Sequence, residues 1–205
     1  MKIELAKLKS WERHEVLVSL VNPRPIAWVS TIGKDGIPNA APYSFFTPIS
    51  LNPPTIAFSV GVRRGGEKKD TQRNIEDTRE FVVNMVDESV SVAMNKTGFE
   101  YPPGVNEMEK VGLTMVPSEL VRPPRIGEAP ASLECRLLQV IQIGEAHNGN
   151  GLVIGEVLLA HVKDDWWHNG EVDPQNARLV GRMGGEFYCL PSNIIEMKRW
   201  KQPPA

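Results

Sequence analysis

The chain contains several short runs rich in β-branched and aromatic residues, and Gly, Pro or Asn stands at the ends of most of them. Runs of this length and composition, bounded in this way, are typical of β-strands. The clearest runs are residues 26–31, 56–60, 81–86, 135–143 and 153–162. Because an open sheet would leave long unpaired edges, the pattern predicts a mainly β fold with hairpins that closes into a barrel.

Helical segments are few and short in this pattern. Asp70 is predicted to cap a helix that starts at Thr71 and ends near Arg79, and Asp87 or Ser89 to cap a second one. Residues 98–130 contain too many Pro and Gly residues for one regular element. We expect this stretch to be an excursion over the mouth of the barrel.

The length and composition exclude several classes of protein. A chain of 205 residues can form one domain, predicted to span 1–205 with a flexible tail from about residue 200. The net charge of −2 and the absence of long basic runs argue against nucleic-acid binding. No run approaches the roughly 20 apolar residues of a membrane span.

The cysteines and histidines give no indication of a metal site or a disulfide. Cys135 and Cys189 lie far apart with no CxxC partner, which favours a reduced, intracellular chain. The N-terminus lacks the apolar core of a signal peptide, so we expect a cytoplasmic protein. No two histidines have the i, i+4 spacing of a zinc helix. Neither a P-loop in residues 61–67 nor a Rossmann glycine motif is complete.

Three segments within residues 22–84 place polar groups at the edges of apolar elements. Ser30 and Thr31 end the first predicted strand, and adjacent residues of that strand face opposite sides. The second segment, residues 38–46, combines small residues with aromatic ones. The third, residues 68–75, places a cation beside a predicted helix N-terminus. An aromatic ring system that carries a phosphate would need groups of these kinds.

Each segment also has an ordinary structural explanation. The hydroxyls of Ser30 and Thr31 could satisfy backbone groups in the following turn. Tyr43 and Ser44 could belong to a packed core, and Lys69 could be a solvated lysine on a capped surface helix. These alternatives stay open when each segment is considered alone.

The sequence resembles the flavin reductase-like domain family, the FMN-binding split barrels that include flavoredoxin-like proteins. The resemblance runs from about residue 15 to Tyr188. It rests on segments that occur in the same order along the chain, namely residues 23–31, 39–46, 53–54, 69–75, 80–84 and 181–188.

The resemblance implies a homodimer that holds FMN near the subunit interface. Within the family pattern, Ser30, Thr31, Lys69 and Thr71 look like the phosphate and ribityl side. The isoalloxazine side looks like Asn39, Ala41, Tyr43 and Ser44. Arg182 either meets the cofactor or braces the dimer, and no side chain is assigned as catalytic, because the flavin itself accepts the hydride.

The resemblance leaves three functions open. The first is an FMN-dependent oxidoreductase that takes a hydride from NADH or NADPH and passes electrons to free flavin or another acceptor. The second is a non-enzymatic electron carrier with a protein redox partner. The third is an FMN-binding protein with a dedicated organic substrate. A Phe99 or Tyr101 side chain closing over the ring would favour the second or third.

Overall fold

The computed structural model describes residues 1–197. The predicted tail from about residue 200 lies outside these residues. The strands of the described part are β1 (Ala27–Ile32), β2 (Pro38–Tyr43), β3 (Phe46–Leu51), β4 (Pro54–Gly61), β5 (Glu80–Asn84), β6 (Met115–Val116), β7 (Arg125–Ile126), β8 (Ala131–Ile143), β9 (Asn150–Val162), β10 (Trp167–His168), β11 (Glu171–Val172), β12 (Gly181–Arg182) and β13 (Tyr188–Cys189).

The main sheet is seven-stranded and antiparallel, in the order β2-β1-β5-β8-β9-β4-β3. Tyr43 at the end of β2 packs against Phe58 of β4, with ring centroids 5.5 Å apart, although these two strands are not neighbours in the sheet. The sheet therefore curls until one edge approaches its other side. This architecture is a split β-barrel, and the predicted fold class is confirmed.

Two irregularities in the pairing of β8 with β9 explain why apolar and polar residues alternate only loosely in this hairpin. The pairing register shifts between Glu134 and Cys135 and again between Leu137 and Gln139. Each shift inserts a residue and exchanges the faces on which later side chains lie. The strict alternation expected of a regular strand is lost, although the strand itself continues from Ala131 to Ile143.

The helices are α1 (Ser10–Leu20), α2 (Asp70–Thr78), α3 (Ser91–Thr97) and α4 (Glu107–Val111), with single 3-10 turns at Leu5–Lys7, Glu88–Val90 and Asp164–Trp166. Two of these, α1 and α4, were not anticipated. The expected Asp70 cap was wrong, because α2 begins at Asp70, and the carboxylate of Asp70 bonds Arg63 and Arg73. Asp87 does cap, accepting from the N–H groups of Ser89 and Val90.

Strand β1 separates two apolar clusters, as its alternation predicts. Ala27 and Val29 belong to the cluster inside the barrel, and Trp28 belongs to a second cluster that packs under α3 and α4. The indole N–H of Trp28 donates to Thr97 Oγ1 at 2.9 Å, which ties the strand to α3. Met108 and Ile126 of the excursion belong to the same second cluster, which holds the excursion against the outer face of β1.

Two positions restrict which residues they can hold, one by backbone conformation and one by close packing. Arg79 ends α2 with φ of 66°, a left-handed conformation that glycine adopts at helix ends with less strain. A Cβ at Gly155 would lie 2.3 Å from the Phe81 ring, so this ring can reach the core only because β9 has glycine there. No helix within residues 1–197 is long and apolar enough to span a membrane.

Candidate functional site

A pocket lies between the end of β2, the start of α2 and the first residues after α3. Its cavity volume is about 60 Å³. It is lined by Asn39, Ala41, Pro42, Tyr43, Arg63, Lys69, Asp70, Thr71, Thr97, Gly98, Phe99, Glu100, Tyr101 and Glu107. Polar and charged groups therefore meet an aromatic wall at one place, which is the combination that a flat, charged ligand requires.

Asn39 organises the floor of the pocket. Its Oδ1 accepts from the hydroxyl of Thr71 at 2.8 Å and from that of Thr31 at 3.3 Å. Its Nδ2 donates to Glu107 Oε1 at 2.8 Å. Thr31 in turn accepts from Asn74 Nδ2 at 3.1 Å. These buried side chains hold one another in fixed orientations, so the floor is rigid before any ligand arrives.

Two cations stand at the α2 side of the pocket. Arg63 forms a part-buried ion pair with Asp70, with Nη2 and Oδ2 2.8 Å apart, and donates from Nη1 to the Tyr101 carbonyl. The Lys69 Nζ lies 6.0 Å from the centre of the Tyr43 ring. Burial lowers the pKa of Lys69, an effect that Glu100 opposes and Arg63 reinforces. An anion bound here would offset the cost of keeping Lys69 charged.

Two buried polar atoms at this pocket have no hydrogen-bond partner among residues 1–197. They are the hydroxyl of Tyr43 and the Nε of Arg63. Burial raises the pKa of Tyr43 far above its ordinary value, although Thr71 and Arg63 oppose the rise. The Tyr43 hydroxyl thus stays protonated. Since unpartnered buried donors are costly, both atoms are suited to meet a ligand.

The excursion supplies the rim of the pocket. The rings of Phe99 and Tyr101 pack edge to face with centroids 5.0 Å apart. Phe99 nevertheless keeps 69% of its surface exposed, although phenylalanine is among the residues most often buried. Gly98 lies against the Pro42 ring, where an added Cβ would come within 3.3 Å. An aromatic surface is therefore presented over the floor.

Five of the eight predicted site residues come together in this pocket. They are Asn39, Ala41, Tyr43, Lys69 and Thr71. Thr31 lies one layer behind, in contact with Asn39. Ser30 faces the other side of β1 and donates to the Pro124 carbonyl. Ser44 lies near Arg24, whose Nε is 3.4 Å from its hydroxyl. Cofactor contacts for these eight residues stay a prediction.

Arg63 and Glu107 line the pocket but were not anticipated from the sequence. Arg63 lies in the loop that lacks a complete P-loop pattern, so it carries no recognisable motif. Glu107 begins a helix inside the Pro- and Gly-rich excursion. Glu107 is recognised as part of the pocket only because its carboxylate is buried, and no local sequence pattern predicts the burial of a single glutamate.

Comparison with known proteins decides the family. A model of the flavin reductase like domain matches residues 20–174. The chain belongs to the flavin reductase-like domain family. A relative, an uncharacterized protein of Aquifex aeolicus, is 46% identical over 186 residues, which cover 90% of this chain and 93% of that protein.

Two solved structures of this family type superpose closely. Nitrilotriacetate monooxygenase component B from Bacillus cereus is 34% identical, with a TM-score of 0.92 over 96% of this chain and 98% of that chain. The 2-nitrobenzoate 2-nitroreductase of Pseudomonas fluorescens is 29% identical, with a TM-score of 0.91 over 100% of this chain and 99% of that one. Together with the family match, these neighbours support a flavin cofactor and a flavin-related redox function.

The residues of the pocket fit a flavin. The unpartnered Tyr43 hydroxyl and Arg63 Nε offer hydrogen bonds, Lys69 offers charge, and the aromatic rim offers surface for a ring. Within residues 1–197, no cluster of His, Cys, Asp and Glu is arranged to hold a metal ion.

Proposed function

We propose that this protein is an FMN-dependent oxidoreductase that takes a hydride from NADH or NADPH and passes the electrons to free flavin or another acceptor. The observation that carries the proposal is the pair of buried, unpartnered polar atoms, on Tyr43 and Arg63, in a pocket that also holds Lys69. Donors left open beside a cation suit a ligand with oxygen acceptors and negative charge, which a flavin mononucleotide has.

The proposed arrangement divides the pocket into two parts. Lys69, Arg63 and Thr71 face the phosphate and ribityl chain, since the cations lie together at the α2 end. Asn39, Ala41 and Tyr43 face the ring system, where small and aromatic side chains leave flat surface. Ser30, Thr31 and Ser44 then act behind this surface, because their hydroxyls bond protein groups in the free chain.

The bound flavin would supply the redox chemistry, accepting a hydride at N5 while negative charge develops at N1 and O2. The protein's own residues have a simpler task. They hold the phosphate with cations, orient the ring system and exclude water from one side of it. No protein nucleophile is needed, and we assign no catalytic side chain.

We further propose a homodimer with the cofactor near the subunit interface. The cavity of about 60 Å³ is far below the roughly 300 Å³ at which pockets usually hold a cofactor-sized ligand. One chain therefore buries only part of the flavin. Large apolar side chains also remain exposed in the single chain, among them Trp11, Leu20, Leu51 and Ile143. Such exposure is typical of surfaces that contact another protein.

We also propose a cytoplasmic location, and the two cysteines support it. Cys135 and Cys189 are both free thiols in the fold. Free cysteines without a pairing partner are typical of proteins in reducing compartments.

The first experiment is anaerobic absorption spectroscopy of the purified protein with FMN, and in parallel with FAD. NADH and NADPH are then added separately. We expect a bound FMN spectrum that bleaches within seconds with one of the two nicotinamides. A protein that binds neither flavin would overturn the proposed function, and preferential FAD binding would overturn the assignment of FMN.

The aromatic rim favours a second candidate function. Phe99 and Tyr101 line the pocket and pack against each other, and side chains that closed over a bound flavin would leave less space for a nicotinamide ring. An FMN electron carrier with a protein redox partner, or an enzyme with a dedicated organic substrate, would tolerate this. In the same spectroscopic experiment, bound FMN that bleaches with dithionite and with neither nicotinamide would favour these functions over the reductase.

The phosphate assignment is tested by replacing Lys69. Lys69→Met should weaken FMN binding roughly tenfold while leaving riboflavin binding unchanged, because only FMN carries the phosphate. Lys68→Met is the matched control, since the neighbouring Lys68 pairs with Glu76 on the surface and does not line the pocket. Equal losses of FMN and riboflavin affinity in Lys69→Met would place the ring or ribityl chain, and not the phosphate, at Lys69.

A further inference from the structure

Glu107 is a buried carboxylate at the pocket that the proposed function does not yet use. It is the first residue of α4 and only 6% exposed. Oε1 accepts from Asn39 Nδ2 at 2.8 Å, and Oε2 accepts from the backbone N–H of Ala40 at 3.0 Å. Both oxygens thus engage consecutive residues of β2, the strand that forms the floor of the pocket.

This arrangement fixes which way the Asn39 amide points. An ionised carboxylate can only accept hydrogen bonds, so Asn39 must turn its NH₂ group toward Glu107. The Oδ1 of Asn39 then faces the opposite side, where the hydroxyls of Thr31 and Thr71 donate to it. The position of one carboxylate therefore determines the direction of three hydrogen bonds.

The last of these bonds reaches the ligand side. Thr71 lines the pocket, and its proton is directed to Asn39 in the free chain. The oxygen of Thr71 consequently presents its lone pairs to the pocket. If the Asn39 amide turned over, its NH₂ would face the two hydroxyls, and Thr71 would have to direct its proton elsewhere.

Packing alone does not account for a carboxylate at this position. Burial raises the pKa of Glu107, and hydrogen bonds from Ala40, its own backbone and Asn39 oppose the rise. A neutral side chain of the same shape would avoid the cost of burying a charge. Only a group with two acceptor oxygens, however, satisfies both Asn39 and Ala40.

We propose that Glu107 is a positioning residue of the flavin pocket, which sets the orientation of the Asn39 amide and, through it, of the Thr71 hydroxyl. This inference rests on the proposed function, because the pocket must bind flavin for the orientation to matter. Glu107 acts through Asn39 and is not itself a catalytic residue.

The test is a pair of single variants and their combination. Glu107→Gln keeps the shape but provides one acceptor and one donor. With Asn39 in its present orientation, the Gln NH₂ would face either Asn39 Nδ2 or the Ala40 N–H, and both of these are donors. The clash is relieved only when the Asn39 amide turns over, which redirects the Thr71 hydroxyl. Asn39→Asp places a second carboxylate against Glu107. Each single change should weaken FMN binding by at least about tenfold, since it opposes like groups in a buried site.

The double variant should restore binding. In Asn39→Asp combined with Glu107→Gln, the Gln oxygen accepts from Ala40 and its NH₂ donates to the new aspartate. The second aspartate oxygen still accepts from Thr31 and Thr71. The net charge of the pair is also unchanged. We expect the FMN dissociation constant of the double variant to return to within about threefold of the wild-type value, and the riboflavin constant to follow it.

The outcomes separate this inference from the proposed function. The inference alone would be overturned if the wild-type protein binds FMN but the double variant binds it no better than the weaker-binding single variant does. Wild-type protein that binds no flavin would overturn the proposed function and the inference with it. Where a single variant fails to fold, the double variant decides. A double variant that folds and binds FMN with near wild-type affinity can do so only because the donor and the acceptor have been exchanged between positions 39 and 107.

Discussion

Two buried asparagines, Asn84 on β5 and Asn39 on β2, lie on opposite sides of β1. Their surroundings differ in whether every buried polar group has a hydrogen-bond partner. Asn84 donates from Nδ2 to the Trp28 carbonyl and to Ser30 Oγ. Its Oδ1 accepts from the Ile126 N–H and from Ser132 Oγ. Every hydrogen-bonding position of this amide is filled. The Asn84 cluster ties β1, β5, β7 and β8 together, and it has the character of a purely structural joint.

The Asn39 cluster has similar components but is incomplete. Asn39 is held by Thr31, Thr71 and Glu107, yet the nearby Tyr43 hydroxyl and Arg63 Nε have no partner among the described residues. Buried polar groups that are fully bonded stabilise a fold, whereas unbonded ones lower its stability. The first cluster therefore serves the barrel, and on the proposed function the flavin would complete the second.

The largest effect should come from breaking the complete cluster. Asn84→Ala leaves the Ile126 N–H and the Ser132 hydroxyl without their acceptor, in a site that is fully buried. We expect the free energy of unfolding to fall by about 3–5 kcal/mol. Urea unfolding measures the loss, and FMN affinity of the folded protein should not change. A loss below about 1 kcal/mol would contradict the structural role of this joint.

A smaller effect is expected at a charged group whose bonds are also complete. Glu134 accepts from the N–H groups of Glu119 and Leu120 and bonds His161 Nε2 at 2.7 Å. Glu134→Gln retains only one acceptor oxygen, so we expect a loss of about 2–3 kcal/mol in urea unfolding. Flavin affinity serves as the control, because Glu134 does not line the pocket.

The pH dependence of stability follows from the same carboxylate. Burial alone would raise the pKa of Glu134, but the hydrogen bonds from Glu119, Leu120 and His161 outweigh burial and lower it. A lowered folded-state pKa means that the stabilisation is present above the unfolded pKa of about 4.3 and is lost as pH falls through the folded value. As the pH falls below about 4.3, the free energy of unfolding should therefore decrease more steeply for the wild-type protein than for Glu134→Gln. Parallel curves would contradict the assignment.

The smallest effect on stability should occur in the incomplete cluster. Tyr43→Phe removes a buried hydroxyl that has no partner within residues 1–197, so the free energy of unfolding without flavin should change by less than about 0.5 kcal/mol. FMN affinity should fall roughly tenfold, equal to about 1.4 kcal/mol. Thermal unfolding with and without FMN measures both quantities. A clear loss of stability in the flavin-free protein would mean that the hydroxyl has a structural partner.

The sequence predicted much of the fold because strands and turns carry local patterns. The runs that became β1, β4, β5, β8 and β9 are marked by β-branched residues and by the breakers at their ends. Strands β2 and β3 were harder to recognise, since proline and small residues weaken the pattern there. The helix α4 was missed because five residues in a Pro- and Gly-rich stretch give too little periodicity.

The composition and order of segments determined the barrel class, the family and five residues of the pocket, because these properties depend on residue type and spacing. Tertiary structure alone decided that Ser30 donates to the Pro124 carbonyl, that Arg63 reaches the pocket and that Glu107 meets Asn39 across 68 positions of sequence. The physical reason is that burial and hydrogen-bond partners arise from long-range packing. A carboxylate becomes a positioning group only when a distant strand removes it from water.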